Sequence, residues 1–328
     1  SGGAFDFANA VTLDSGENLS LTASGAVTQS ADLTIPGTTT IAAGSGNNIT
    51  LDRTGNTFTG AVTITSGNNV ILDADASIAL NASTITGTLE VDLSAAGTIT
   101  DGGVITVGGT TSLDAGGVGD TASAITLDAN HTFTGVVTIV RGGNVEINDN
   151  GSSLGLAAVT TSTVGGDLTL TSGGAFDFAN AVTLDTGENL SLTSTGAVTQ
   201  TGALTIPGTT TVSASGQNVT LSHASNSFTG AVIITGAALD IENNIATVLG
   251  ATTATSTYAL DSNGEVTQTG GDLAITGAMT IVAGSANNIT LSRTGNTFSG
   301  GVGITSGNNV VLDADASIAL NASTITGT

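Results

Sequence analysis

The side chains best placed to do chemistry are aspartates that follow the last leucine of short apolar segments: Asp14, Asp52, Asp73, Asp114, Asp128, Asp185, Asp261 and Asp313. Asp52 and Asp73 lie 21 residues apart in matching phrases, so on stacked coils their carboxylates would approach within about 5 Å. That spacing fits the carboxyl pair of a retaining glycosidase. It also fits a hard cation, with Asp75 of the DADAS turn as a third oxygen donor. Asp52, however, becomes Ser292 in the copy 240 residues later, and the glycine-rich nonapeptide of calcium-binding β-rolls is absent. The expectation is therefore solvated turn carboxylates and no catalytic residue. Structural calcium at Asp52, Asp73 and Asp75 is the candidate metal, and no other cofactor is expected.

Basic side chains are scarce enough for each to be informative. Arg53, His223 and Arg293 each stand five residues before the phenylalanine of a TFTG-like phrase, and they read as solvated loop cations. No Ser-His-Asp, HExxH or phosphate-loop pattern accompanies the two histidines. Asparagine pairs at Asn47–Asn48, Asn68–Asn69, Asn287–Asn288 and Asn308–Asn309 open strands. Stacked amides that bond along an axis explain them better than a ligand site does. Phe5, Phe7, Phe176 and Phe178 of the two FDF motifs read as core filling. Threonine runs such as Thr38–Thr40 are spread over several faces, which argues against a flat ice-binding array.

Composition narrows what can position these groups. Aromatics make up 3% of 328 residues, and cysteine and tryptophan are absent. A core must therefore come from many stacked Val, Ile and Leu side chains. Zero cysteine excludes disulfides and thiolate chemistry. The formal charge of −23, with no lysine at all, disfavours nucleic acid and anionic membranes. No run of 18 apolar residues is present, so no membrane insertion as a helix is expected.

Repeats decide the architecture. SGGAFDFANAVTLD at 1–14 returns at 172–185, an offset of 171, and 67–88 returns almost unchanged at 307–328, an offset of 240. Apolar-polar-apolar triplets mark short strands at Leu19–Leu21, Leu33–Ile35, Ile49–Leu51, Val62–Ile64, Val70–Leu72 and Ile78–Leu80. Gly, Asn, Asp, Ser and Thr separate them, as tight turns require. Taking every third strand as one face gives starts near 19, 41, 62, 84, 105, 125, 145, 168, 190, 212, 232, 257, 281, 302 and 324, or about 22 residues per turn. Both long offsets are whole numbers of such turns, and Gly236–Thr257 fits least well. The reading is an all-β chain: one continuous parallel β-solenoid (a β-helix) over 1–328, without caps. It has three short strands per turn, about 15 turns and a length of about 70 Å. Right-handed winding follows from the preference of parallel crossovers.

Phrases such as GDLTLTSGGAFDF, GAVTQTGALTIPGTTTVSASG and NNITLDRTGNTFTGAVTIT resemble the repeat regions of filamentous-haemagglutinin-like exoproteins and related bacterial β-strand-repeat adhesins. The likeness runs through the whole chain. It implies a right-handed β-helix, export to the bacterial surface or beyond, and a role in adhesion, aggregation or biofilm. No functional residue carries over, since the shared positions build the coil. Two classes follow. One is a non-enzymatic structural or adhesive extracellular rod or fibre. Its partners are further coils of the same polypeptide or head-to-tail copies of itself, and surface glycans or host receptors. The alternative is a β-helix polysaccharide lyase or glycoside hydrolase, or a tailspike-like carbohydrate-binding module.

Overall fold

The computed structural model of the chain describes residues 1–116, 123–151, 155–158 and 164–328. Those residues hold no α-helix, and all their strand pairings are parallel. The fold is a β-solenoid of about 13 turns with about 22 residues per turn. The expected count was 15. Residues 313–328 hold no strand, only isolated bridges at Leu320 and Ile325. The chain forms two compact units, Ser1–Gly173 and Gly174–Thr328.

In the first unit one sheet stacks Phe5–Phe7, Val27–Gln29, Ile49–Leu51, Val70–Ala74, Leu89–Leu93, Thr111–Asp114 and Val137–Arg141. Register is residue on equivalent residue: Val27 on Ile49, Ile49 on Val70, Val70 on Leu89. Inward positions form columns of buried Val, Leu and Ile, such as Leu51, Leu72, Val91 and Leu113. Outward positions carry Thr, Ser, Asp and Glu, as period-2 alternation demands. A second sheet begins at Leu19–Thr22, Thr39–Ala42 and Val62–Ser66. The second unit repeats the plan, from Phe176–Phe178 and Leu190–Ser194 onward.

The third side does not run through. It consists of three-strand stacks that each end at a TF or SF pair, three of them separate and the fourth joined to the second sheet. They are Val11–Thr12, Leu33–Ile35 and Thr57–Phe58, then Ser83–Ile85, Ile105–Val107 and Thr132–Phe133 in the first unit. In the second they are Val182–Thr183, Leu204–Ile206 and Ser227–Phe228, then Thr252–Ala254, Leu273–Ile275 and Thr297–Phe298. The reason is a missing strand. No third-side strand lies between Val70–Ala74 of the first sheet and Ile78–Leu80 of the second, nor between Leu239–Asn243 and Thr247–Leu249, so one stack ends there and another begins after the second-sheet strand. The long strand Ala231–Gly236 makes the change. Its start pairs with Thr247–Leu249 and its end with Thr252–Ala254. Val62–Ser66 does the same through Leu80 and, just beyond its end, Gly67 bridged to Ile85.

This corrects the assignment of every third strand to one face. Residues 84 and 105 fall in the third-side stack and 257 abuts a first-sheet strand, Tyr258–Ser262, whereas 19 and 62 lie on the second sheet. It also explains why Gly236–Thr257 fitted least well.

The glycine of each TFTG-like phrase sits where coils touch. A Cβ on Gly60 would overlap the Gly37 carbonyl, and Gly135, Gly230 and Gly300 meet Gly109, Gly208 and Gly277 in the same way. Gly46 faces open space. Gly60→Ala should therefore destabilise the first unit by about 1–3 kcal/mol, the usual range for overpacking. Gly46→Ala should change it by less than about 0.5 kcal/mol, as open surface positions do. Denaturant titration of the two variants checks this.

Candidate functional site

The aspartates after first-sheet leucines form a column. Asp52 follows Leu51, which pairs with Leu72, so it adjoins Asp73; Asp73 then pairs with Asp92, and Asp92 with Asp114. Arg141 closes the column. Its Nη2 donates to Asp114 Oδ2 at 2.7 Å and its Nε to Asp114 Oδ1 at 2.7 Å, in a bidentate pair. Stacking like charges in a half-buried edge has the expected effect. Burial, then the charges of Asp92, Glu90 and Asp52, push the Asp73 carboxyl up to about 6. Burial, then Asp114, also raise Asp92, against the opposing pull of Arg141.

Of the calcium trio expected from sequence, Asp52 and Asp73 are thus neighbours. Asp75 is exposed, and its backbone N–H donates to the Asn56 carbonyl oxygen at 2.7 Å. Among the described residues no group of three or more His, Asp or Glu side chains is placed to hold a metal ion. The corresponding edge of the second unit, where Glu242 pairs with Asp261, borders an open polar groove of about 330 Å³ lined also by Asn243, Asn244 and Asn263.

The other sequence candidates take structural positions. Arg53 binds Asp32 at 3.2 Å and Arg293 binds Asp272 at 2.6 Å, each across one coil on an exposed corner. Reading the sequence alone missed these partners, because each lies 21 residues upstream of its arginine. His223 occupies the same position, and Ala203 stands where the aspartate would be. Asn68 Nδ2 donates to Asn48 Oδ1 at 3.2 Å, and Asn308 does the same to Asn288, so the asparagine pairs form an amide ladder. Phe176 and Phe178 are buried in edge-to-face contact, and Phe5 meets Phe7 in the same geometry.

The most elaborate polar construction is one the sequence did not announce. The residue before each TF or SF pair is fully buried: Asn56, His131, Asn226 and Asn296. Asn56 Oδ1 accepts the Leu33 N–H at 2.9 Å and the Gln29 amide at 2.8 Å. Its Nδ2 donates to Gln29 Oε1 at 2.9 Å and to the Asp73 carbonyl oxygen at 3.1 Å, one coil further on. Asn226 makes the same set with Gln200, Leu204 and Glu242, and Asn296 with Gln268, Leu273 and Asp313. Each amide therefore ties three successive coils at the point where a third-side stack ends. A buried N–H or C=O demands a partner, and the clamp supplies it where the regular ladder breaks. The signal was there to find: the glutamine of GxVTQ recurs 26 to 28 residues before the asparagine of NTF or NSF.

Residues 67–88 and 307–328 allow one sequence to be compared in two settings. Under the strands 89–107, Leu80 is 3% exposed and Ile85 2%; their counterparts Leu320 and Ile325 are 60% and 38% exposed. With Val310, Leu312 and Ile318 they line an open apolar hollow of about 280 Å³.

Asp73 carries a checkable pH signature. Its folded pKa lies above the unfolded value of 3.8, so the folded state binds more protons between about pH 4 and 6, and acid stabilises this edge. Asp73→Asn should raise the melting temperature at pH 7.5 and remove most of the gain that wild type shows on moving to pH 5. Millimolar calcium should stabilise wild type more than the variant. Separately, Asn56→Ala strands the Leu33 N–H and the Gln29 amide, and should cost about 2–4 kcal/mol by equilibrium unfolding.

A protein-family model described as repeats of unknown function (DUF5649) matches residues 2–65, 67–140, 165–235 and 236–305. No curated protein and no solved structure matches the chain. Each family repeat closes at or within a residue of the end of the long strand that follows a TF or SF pair, so its boundary falls at the clamp and the stack change. With most of its length accounted for in this way, the chain belongs to the DUF5649 repeat family.

Proposed function

We propose that the chain is a non-enzymatic structural or adhesive segment of an extracellular bacterial rod or fibre. The single observation that carries this reading is the repeat itself: coil after coil buries the same apolar columns, such as Leu51, Leu72, Val91 and Leu113, against the next. Parallel coils of this composition stack on further coils, of the same polypeptide or of a second copy docking head to tail, and such contacts propagate without closing. The resemblance of its phrases to filamentous-haemagglutinin-like exoproteins supports placing the chain on a bacterial surface. The charge of −23 favours solubility of a long assembly. Repeated Thr, Asp and Asn on outward faces offer many weak contacts to surface glycans or receptors, where avidity replaces a deep pocket.

The runner-up, a polysaccharide-acting or carbohydrate-binding β-helix, rests on the groove beside Glu242 and Asp261. Two measurements separate the readings. Light scattering and electron microscopy should show concentration-dependent end-to-end oligomers of the chain; a chain that stays monomeric at high concentration counts against the fibre. Release of unsaturated or reducing ends from acidic or neutral polysaccharides, lost in Asp261→Asn, would favour the enzyme instead.

A further inference from the structure

Three family repeats close with the same Asn–Gln amide clamp, and the second closes with a different pair. His131 replaces the asparagine and Asp101 replaces the glutamine. The exchange is reciprocal in size, a longer side chain for the short one and a shorter one for the long. It comes with a connection one residue shorter, four residues from Leu127 to His131 against five from Leu51 to Asn56. His131 Nδ1 accepts the Ile105 N–H at 3.0 Å, reproducing the bond that Asn56 Oδ1 makes to Leu33. With Nδ1 an acceptor, the neutral ring carries its proton on Nε2. That atom faces Asp101 Oδ2 at 3.6 Å, beyond hydrogen-bond length, and has no hydrogen-bond partner. The amide clamps donate from Nδ2 to the next coil; here that tie is missing.

We propose that the His131–Asp101 pair makes the second repeat an acid-opened segment of the solenoid, while the three amide-clamped repeats stay closed. The ring is fully buried. A second proton must go to Nδ1, where it ejects the Ile105 N–H and leaves a cation inside the coil. The charged groups that face the ring are Asp101 on the strand Ile99–Asp101, Asp128 in the turn before it and Asp149 from the following coil. Asp101 and Asp149 are already engaged, accepting the Asp128 and Phe133 N–H groups at 2.9 and 3.3 Å. Burial outweighs their attraction and holds the imidazole below its ordinary 6.5. The unfolded or opened state therefore binds the extra proton more readily. The repeat keeps its full stability above pH 6.5 and loses it as the pH falls below. An amide pair has no such dependence. Asp73 and Asp92, at the first-sheet edge of the same repeat, respond in the opposite sense, so the readout must be local.

Hydrogen exchange of the whole chain, corrected for intrinsic rates, provides that readout. Between pH 6.5 and 5.5 protection should fall up to about tenfold per pH unit in peptides spanning Ile99–Val107 and Thr132–Phe133. It should hold at Leu33–Ile35 with Thr57–Phe58, and at the equivalent strands of the third and fourth repeats. His131→Asn with Asp101→Gln should abolish the local response. Equal protection at both pH values, or the same loss in all four repeats, would overturn the proposal, and so would a folded double variant that still opens in acid. The wild-type comparison among repeats decides whether or not that variant folds. Imidazole ¹⁵N spectra give an independent check: the Nε2–H tautomer should persist at pH 7.5, and its protonation should track the loss of Ile105 protection.

Discussion

Everything in this protein depends on stacking each residue on its equivalent one coil away, in parallel register at about 4.8 Å. The backbone ladder enforces that spacing, and side chains inherit it without choice. Apolar residues benefit, because Leu51, Leu72, Val91 and Leu113 become one continuous buried column. Amides benefit as well, because one carbonyl can accept from the next amide along the axis. Carboxylates are penalised. The column through Asp52, Asp73, Asp92 and Asp114 brings like charges together at a half-buried edge, and Arg141 relieves only its far end. The same rule accounts for Gly60 on Gly37: where two coils meet at a tight corner, only hydrogen fits between them.

How much of this was legible follows from which signals are local. The strands Leu33–Ile35, Ile49–Leu51 and Ile78–Leu80 were readable to the residue, because an apolar-polar-apolar triplet between turn residues has no other good conformation. The repeat length was legible because duplications must preserve facing. The sheet to which a strand belongs was not. A turn that omits its third-side strand, as between Val70–Ala74 and Ile78–Leu80, looks like any other turn, and a long strand such as Ala231–Gly236 that serves two successors has no separate mark in sequence.

The candidate site divides in the same way. Asp52 beside Asp73 was predictable from spacing, since both follow matching leucines. The outward course of Asp75 was not, because it depends on where the strand ends and the turn begins. Asn56 stands in a polar stretch of the sequence, and its burial becomes intelligible only once Thr57–Phe58 is seen to end a stack. At that end the ladder stops supplying partners for the Leu33 N–H and the Asp73 carbonyl, and a single side chain must do so. The clamp is a consequence of a turn that omits its third-side strand.

That consequence gives the repeat its identity. Each repeat breaks one third-side stack, and the residues that manage the break, the glutamine of GxVTQ and the asparagine before TF or SF, are bonded to each other and change together. The second repeat shows the rule by its exception. Asn cannot become His alone, since the longer ring would collide with a full-length glutamine, and Gln cannot become Asp alone without stranding an amide. Both changed, the connection shortened by one residue, and the Ile105 N–H kept its acceptor. What the geometry conserves is therefore the satisfied backbone group, and the chemistry that satisfies it is free to vary. In this one repeat it varied to a group that titrates.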